Sequence, residues 1–506
     1  MILVKNAIVS LSDKSHLSEL VQYFEYFKIN VFATGGTYKE LSKYKNKINL
    51  VNLSEYTNFP EIMDGRIKTL HPAIYSGILA RKNKKQHMQE LAKFGFQLFD
   101  LVVVNLYPFE NFIKEKKDAI KPIENIDIGG PCMIRSAAKN FERVIVLSSP
   151  KQYEDFLKIS FDNSNKFDLS YRKKVAIEAF KLTSNYDGII TSWLENDVNI
   201  KSISSIPIKK INDLKYGENP HQNAALYSLG ENPYERLNGK DLSYNNILDL
   251  DIASNLVYEF KETACVVVKH SNPCGVAIRS SQINAFKVAR NTDVISSFGG
   301  IVAFNKKLDL ETCRNITKYF LEAVIAPDFD KEGLKFLKKK KNLIIIKYKK
   351  KVSELDFDVR TTRNFFLVQE FNKINIKKQS THCITQKKPS PKSLKDLLFA
   401  FTVVKYVNSN AIVIAKNFST IGIGVGETSR IEAARQAISK ISQPYKSSVL
   451  ASDGFFPFPD IVSLCKKNNI VSIIQPGGSI NDKTVISKAN KVGISMIITG
   501  VRHFKH

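Results

Sequence analysis

Apolar positions along the chain fall into short continuous runs separated by stretches of helical period. Ala7 to Ser10 is followed by an amphipathic stretch from Leu17 to Lys28, then by Asn30 to Ala33, a second helical stretch from Tyr38, and the apolar run Leu101 to Asn105. Runs this short and continuous read as strands buried on both faces, and their alternation with helices predicts a parallel sheet covered by helices. The pattern holds to about residue 195. NDVNIKSISSIPIKKIND, residues 196–213, has Ser, Pro and Lys but little periodicity, and reads as a linker. Two further mixed stretches follow, about 214–385 and 386–506, with strands expected at Ala264 to Val268, Ala411 to Ala415 and Met496 to Ile498. No fixed-period repeat of the solenoid type is visible. At 506 residues the chain matches such a division, because one domain takes roughly 150 residues.

Composition narrows the function classes. With 43% hydrophobic and 25% charged residues the chain can build sizeable cores, which excludes wholesale disorder. No run of eighteen apolar residues occurs, and the opening MILVKNAIVSLSDKSHL lacks a signal-peptide core, so no membrane partner and a cytoplasmic location are expected. The six cysteines are scattered without a CxxC pair, which fits free thiols and predicts no metal site. The net charge of +26 invites a nucleic-acid reading. Lysine, however, accompanies Asn and Ile in every segment, as a bias toward AT-rich codons would produce. The densest run, KFLKKKKNLIIIKYKKK at 335–351, sets an apolar Leu343 to Ile346 strand between solvated flanks. No nucleic-acid partner is predicted, while attraction to phosphorylated small molecules remains.

Candidate chemistry begins at two strand-to-helix corners. Leu11-Ser12-Asp13-Lys14 and Thr34-Gly35-Gly36-Thr37 each place hydroxyls or glycines where backbone N–H groups can meet an anion. The bland alternative is that Ser12, Asp13 and Thr37 merely cap helices. Further on, DGRIKTLHP, residues 64–72, puts two cations and a hydroxyl in a segment too turn-rich for a regular helix, and Pro72 forces His71 to be extended. NLYPF follows the buried strand at the carboxyl edge where open α/β sheets bind ligands. ENIDIGGP at 124–131 adds a carboxylate and two glycines, and RSAAKN places Arg135 and Lys139 four apart on one helix face.

DGRIKTLHP, NLYPF, ENIDIGGP and RSAAKN, in this order, resemble the IMP cyclohydrolase half of the bifunctional phosphoribosylaminoimidazolecarboxamide (AICAR) formyltransferase/IMP cyclohydrolase family. The resemblance implies a methylglyoxal-synthase-like parallel-sheet domain over residues 1–195. It implies that Lys68, Tyr107, Asp127 and Lys139 surround the reacting groups, while Ser12, Lys14, Gly36, Thr37, Arg66 and Thr69 hold the nucleotide. Ring closure needs positioning and charge stabilisation but no metal or redox cofactor. Lys68 or Lys139 would polarise the formyl oxygen, and Asp127 would orient the amide or take its proton.

The second centre lies at a strand end. Thr263 to Val268 is an apolar run ending in Lys269-His270-Ser271-Asn272-Pro273-Cys274-Gly275, and a lysine and histidine there are either a satisfied edge pair or chemistry. Cys274 has no basic partner in reach of the sequence and reads as structural. KHSNPCG, LKYGENPHQ, SSFGGIVAFN, SNAIVIAKN, GIGVGETSR, SDGFFPFPD and the closing GVRHFKH resemble the AICAR transformylase half of the same family, so the resemblance covers essentially the whole chain. It implies two cytidine-deaminase-like α/β subdomains, 10-formyltetrahydrofolate as co-substrate, and a homodimer formed mainly by residues 200–506. It makes His270 the general base, with Lys269 supporting it and Asn272 and Asn410 holding the reacting groups. Tyr216, Arg430, Arg502 and Phe504 would contact the nucleotide, Glu322 would bind AICAR, and Asp453, Phe455, Phe456, Pro457 and Phe458 would line the pterin side. Lys215 stands where the family commonly has Arg, which keeps the charge but loses the bidentate fork for phosphate.

Rival chemistries fail on spacing. A zinc deaminase needs P-C-x-x-C, and Pro273-Cys274 is followed by Gly275, Val276 and Ala277. Gly422-x-Gly424-x-Gly426 fails the dinucleotide loop G-x-G-x-x-G because Glu427 occupies the last glycine position, and no G-K-[ST] completes a P-loop, so neither NAD nor ATP is predicted. The expected function is formyl transfer to AICAR followed by dehydrative ring closure to IMP. A basic nucleic-acid-binding protein on this fold, or a chain with one surviving activity, are the alternatives.

Overall fold

The computed structural model describes residues 1–109, 120–195, 206, 208–228, 232–349, 357–377, 379, 381–442 and 446–506. The chain divides into two compact units, Met1–Ile208 and Lys209–His506.

In the first unit, strands Asn49–Asn52, Asn30–Ala33, Asn6–Leu11, Leu101–Asn105 and Ile145–Leu147 lie side by side in that order. All four pairings are parallel. The sheet is buried on both faces, which is why LVVVN is apolar without alternation. Helix Leu17–Tyr26 buries Leu17, Leu20, Val21, Tyr23 and Phe24, the spacing of one helical face. Parallel order brings the carboxyl ends of the strands ending at Leu11, Ala33 and Asn105 to one edge. The helix expected from Tyr38 begins at Gly35, whose φ of 54° is a conformation glycine takes without penalty. Pro72 acts as its chemistry requires: His71 is extended at φ −133° and ψ 138°, and its Nδ1 accepts from the Ala73 N–H at 3.2 Å to cap helix Pro72–Leu79.

The second unit holds two six-stranded sheets built on one plan. The first runs Tyr234–Asn238, Ile344–Tyr348, Ala323–Ala326, Ile301–Phe304, Ala264–Lys269, Asn272–Ile278; the second runs His382–Cys383, Ser495–Ile498, Ile470–Gln475, Ser448–Ser452, Ile412–Ala415, Thr420–Gly424. Parallel and antiparallel pairings recur in the same places, and each hairpin follows a helix, Tyr244–Val257 in one half and Pro391–Val404 in the other. The two hairpins meet: the Val276 N–H donates to Thr420 Oγ1 at 2.9 Å, and one apolar core runs through both halves. The two expected α/β subdomains are thus present as a duplication.

Two boundaries differ from the sequence reading, at the linker and at the division between the two halves. Residues 196–205 and 207 of the expected linker lie outside the described residues, as do Lys350 and Lys351 of the basic run, and Lys209–Leu214 is a strand paired with Ala224–Ser228. His382–Cys383 pairs with Ser495–Ile498 and so belongs to the second half, not to a subdomain ending at 385. The segment after His270 is a strand, Asn272–Ile278, with the turn confined to His270 and Ser271; Pro273 is tolerated because this strand is the sheet edge.

Candidate functional site

In the first unit a pocket of about 110 Å³ opens at the carboxyl edge of the sheet. Its lining includes Ser12, Lys14, Gly36, Thr37, Lys68, Thr69, Tyr107 and Asp127, eight of the residues expected there. Long-range hydrogen bonds fix the walls. The Asn105 side chain accepts from the N–H groups of Ser12 and Asp13 at 2.7 and 2.9 Å and donates to the Asp13 carbonyl at 2.7 Å. Thr37 neither caps a helix through its hydroxyl nor leaves it free. Its Oγ1 accepts from the Leu11 N–H at 2.8 Å, tying the two corners together. The Thr34 hydroxyl is bonded to Glu61. A Cβ placed on Gly36 would meet nothing within 4 Å, so this glycine opens backbone to the cavity.

Asp127 is built into the pocket by helix Gly129–Lys139. Its carboxylate accepts from the Gly130 N–H at 2.8 Å, and its own N–H donates to the Tyr186 hydroxyl at 2.8 Å. A Cβ on Gly130 would stand 2.9 Å from Asp127 Cγ and Leu106 Cδ2, and one on Gly129 would collide with the Thr69 hydroxyl, so both glycines are needed for close approach. Burial pushes the Asp127 carboxyl above its ordinary range, opposed by the Gly130 N–H and Lys68. The Lys68 ammonium lies 5.9 Å from the centre of the half-exposed Tyr107 ring. A cation, a phenol and a buried carboxyl are therefore gathered in one cleft.

Two expected residues stand elsewhere. Arg66 is exposed and paired with Glu124, its Nε 3.2 Å from Glu124 Oε2. Lys139 is exposed at the far end of its helix, ten residues or about 15 Å along from Gly129, outside the pocket lining. The geometry does not bring it to Lys68 and Asp127.

In the second unit the strand Ala264–Lys269 runs antiparallel to Ile301–Phe304, so its carboxyl end shares an edge with the start of strand Ala323–Ala326. Lys269 Nζ donates to the Phe298 carbonyl at 2.8 Å, and His270 is exposed at the hairpin tip. Asn272 is engaged on both ends of its amide: Nδ2 donates to the His270 carbonyl at 3.0 Å and Oδ1 accepts from the Asn408 N–H at 3.0 Å. It therefore joins the turn to the segment leading to Asn410. Glu322, on the same edge, is paired with Lys240 at 2.6 Å. Lys215 and Tyr216 lie in the loop between strands Lys209–Leu214 and Ala224–Ser228, with the ammonium 5.9 Å from the ring centre.

Asn410, Arg430, Asp453 and the C-terminal segment form a polar cluster. Arg430 donates to Asn410 Oδ1 at 2.7 Å and to Ser452 Oγ at 3.1 Å, and is bonded to Asp453. The guanidinium of Arg502 stacks 4.3 Å from the Phe504 ring centre. Asp453 and Phe456 are fully buried, the first against Arg430 and Ser409, the second in the core, so neither lines an open pterin surface as expected. Phe455 and Phe458 are exposed, and Pro457 is half-buried. Burial pushes the Cys274 thiol up to about 12, the opposite of what a nucleophile requires.

Sequence reasoning named neither Asn105 nor Glu61 as a site residue. Asn105 was visible as the polar end of an apolar strand. Glu61 reaches Thr34 across 27 residues and leaves no local signal.

The family model described as "AICARFT/IMPCHase bienzyme" matches residues 137–440, and "MGS-like domain" matches residues 16–132. The chain is 45% identical over 512 residues to a bifunctional purine biosynthesis protein PurH of Thermoanaerobacter sp. (strain X514), with all of both chains covered. It is 46% identical over 509 residues, again with full coverage of both, to the protein of that name from Clostridium botulinum (strain Loch Maree / Type A3). A solved structure titled "Crystal structure of ForH" is 31% identical over 38% of this chain and 96% of its own, at a TM-score of 0.34, too low to bear on the fold. The chain belongs to the AICARFT/IMPCHase bienzyme family, the bifunctional formyltransferases and cyclohydrolases of the last two steps of purine biosynthesis.

Proposed function

We propose that the two steps are divided between the two units, with ring closure in residues 1–208 and formyl transfer in residues 209–506. The convergence of Lys68, Tyr107 and Asp127 with Ser12, Lys14, Gly36, Thr37 and Thr69 in one pocket carries this reading. In formyl transfer the 5-amino nitrogen of AICAR bonds to the formyl carbon of 10-formyltetrahydrofolate, His270 takes the amine proton, and the bond from the formyl carbon to N10 breaks as a proton returns to N10, releasing tetrahydrofolate and leaving His270 neutral. Lys269 steadies the turn, Arg430, Arg502 and Phe504 receive the nucleotide, and Phe455 and Phe458 offer flat apolar surface to the pterin.

In ring closure the carboxamide nitrogen attacks the formyl carbon and water leaves. Lys68 stabilises the oxygen as it gains charge, and Asp127 takes the amide proton, for which a carboxyl pushed up by burial is suited. The serine, threonine and glycine corners hold the phosphate with Lys14, and Arg66 joins them on leaving Glu124. Supporting the division is the clean separation of the chain into two units. The protein works as a cytoplasmic homodimer formed through residues 209–506. Incubating the purified chain with AICAR and 10-formyltetrahydrofolate, and resolving formyl-AICAR from IMP by chromatography, tests this reading. IMP with a transient of formyl-AICAR is expected; formyl-AICAR that never closes would remove the first unit's assignment.

A further inference from the structure

The hairpin tip that carries His270 is held in a conformation that its residues disfavour. His270 and Ser271 take φ of 53° and 58°, in the left-handed region that non-glycine residues seldom adopt. What holds them there is a carboxylate from another element. Asp249, in helix Tyr244–Val257, accepts from the His270 N–H at 3.3 Å and from the Ser271 N–H at 2.5 Å. The duplicated half repeats the device. Asp396, sixth in helix Pro391–Val404 as Asp249 is sixth in its helix, accepts from the Asn417 and Phe418 N–H groups at 2.9 and 2.8 Å, and those residues have φ of 52° and 54°. Two independent hairpin tips with different turn residues share one clamp, so the carboxylate, not the turn sequence, sets the backbone. Only the first tip carries a histidine. Its Ser271 carbonyl is gripped from the other side by Lys505 Nζ at 3.3 Å.

We infer that Asp249 is a positioning residue for formyl transfer: by holding the N–H groups of His270 and Ser271 it fixes the left-handed turn that presents the imidazole to the acceptor amine. This rests on the reading of His270 as the base. Because Asp249 acts through the backbone of the turn, its loss bears on turnover and not on nucleotide affinity.

The test compares Asp249→Asn, Asp396→Asn and His270→Ala in the full-length enzyme, with AICAR and 10-formyltetrahydrofolate for transfer and supplied formyl-AICAR for closure. Asp249→Asn is expected to lower the transfer kcat about tenfold or more with the KM for AICAR within threefold and closure unchanged, while Asp396→Asn stays within twofold in kcat. Adding Ser271→Gly, which takes a left-handed φ without cost, is expected to restore several-fold of the lost kcat. If Asp249→Asn does not fold, Asp249→Ser replaces it, and a folded Asp249→Ser enzyme with wild-type kcat overturns the inference. So does an Asp249→Asn enzyme of wild-type kcat beside an inactive His270→Ala, an equal kcat loss in Asp396→Asn, or a double variant no faster than Asp249→Asn. An active His270→Ala would instead overturn the reading of the base itself.

Discussion

Gly130→Ala is a one-carbon change that should disable ring closure alone. The added Cβ would lie 2.9 Å from Asp127 Cγ and 2.9 Å from Leu106 Cδ2, and closer still to Asp127 Oδ2. Carbon atoms at rest sit roughly 3.5–4 Å apart, so the carboxyl or the helix must give by roughly 0.6–1 Å. Overpacking of this kind costs about 1–3 kcal/mol. The backbone N–H of residue 130 survives the change, so the carboxyl keeps a donor and the fold keeps its helix; what is lost is where the carboxyl sits. If the strain falls on that placement, closure of supplied formyl-AICAR should slow by roughly 10- to 100-fold, since about 1.4 kcal/mol is a factor of ten and an ångström of misplacement can cost about a hundred. Formyl transfer in the same preparation should stay within twofold, and circular dichroism should report a folded chain. A Gly130→Ala enzyme that closes the ring within threefold of wild type would refute the reasoning, because the carboxyl would then not need its place.

Other consequences are open to direct measurement. His503 is buried against Phe401, with Asn372 on its Nδ1 at 2.9 Å, and burial, aided by Lys405, pushes it down to about 4. The unfolded chain therefore binds the extra proton between about pH 6.5 and 4, so the stability from this group is present above that window and falls by about 3 kcal/mol as pH is lowered through it; urea unfolding of wild type and His503→Gln should diverge less at pH 4 than at pH 7. A fragment of residues 1–208 should fold and cyclise formyl-AICAR, and a folded but inert fragment would place part of that site in the second unit. Light scattering should report a dimer at assay concentration, and an active monomer would contradict the expected assembly.

The parallel sheet of the first unit was legible because each strand is apolar on both faces and each corner carries its own turn chemistry. The same logic located the pocket: Ser12, Lys14, Gly36 and Thr37 follow strands whose carboxyl ends must share an edge. What stayed hidden depends on distant partners. Glu124 holds Arg66 across 58 residues, and nothing near Arg66 announces it. Asp453 was assigned to the pterin side by the resemblance of SDGFFPFPD alone, yet its side chain is turned onto Arg430. The two subdomains of the second unit were expected from the resemblance, but the clamp they share was not, because the hairpin tips KHSN and KNFS have little sequence in common and Asp249 and Asp396 are each one residue in an ordinary helix.

The central claim, two chemistries in two separate units, is tested most directly by one experiment on two variants. Lys68→Ala and His270→Ala enzymes are each given AICAR with 10-formyltetrahydrofolate, and separately formyl-AICAR, and both products are quantified over time. The Lys68→Ala enzyme should make formyl-AICAR at near wild-type rate and accumulate it. His270→Ala should lose formyl transfer by about a hundredfold or more, the scale of a positioned general base, while still closing supplied formyl-AICAR to IMP. Equal loss of both activities in either folded variant would contradict the division of labour.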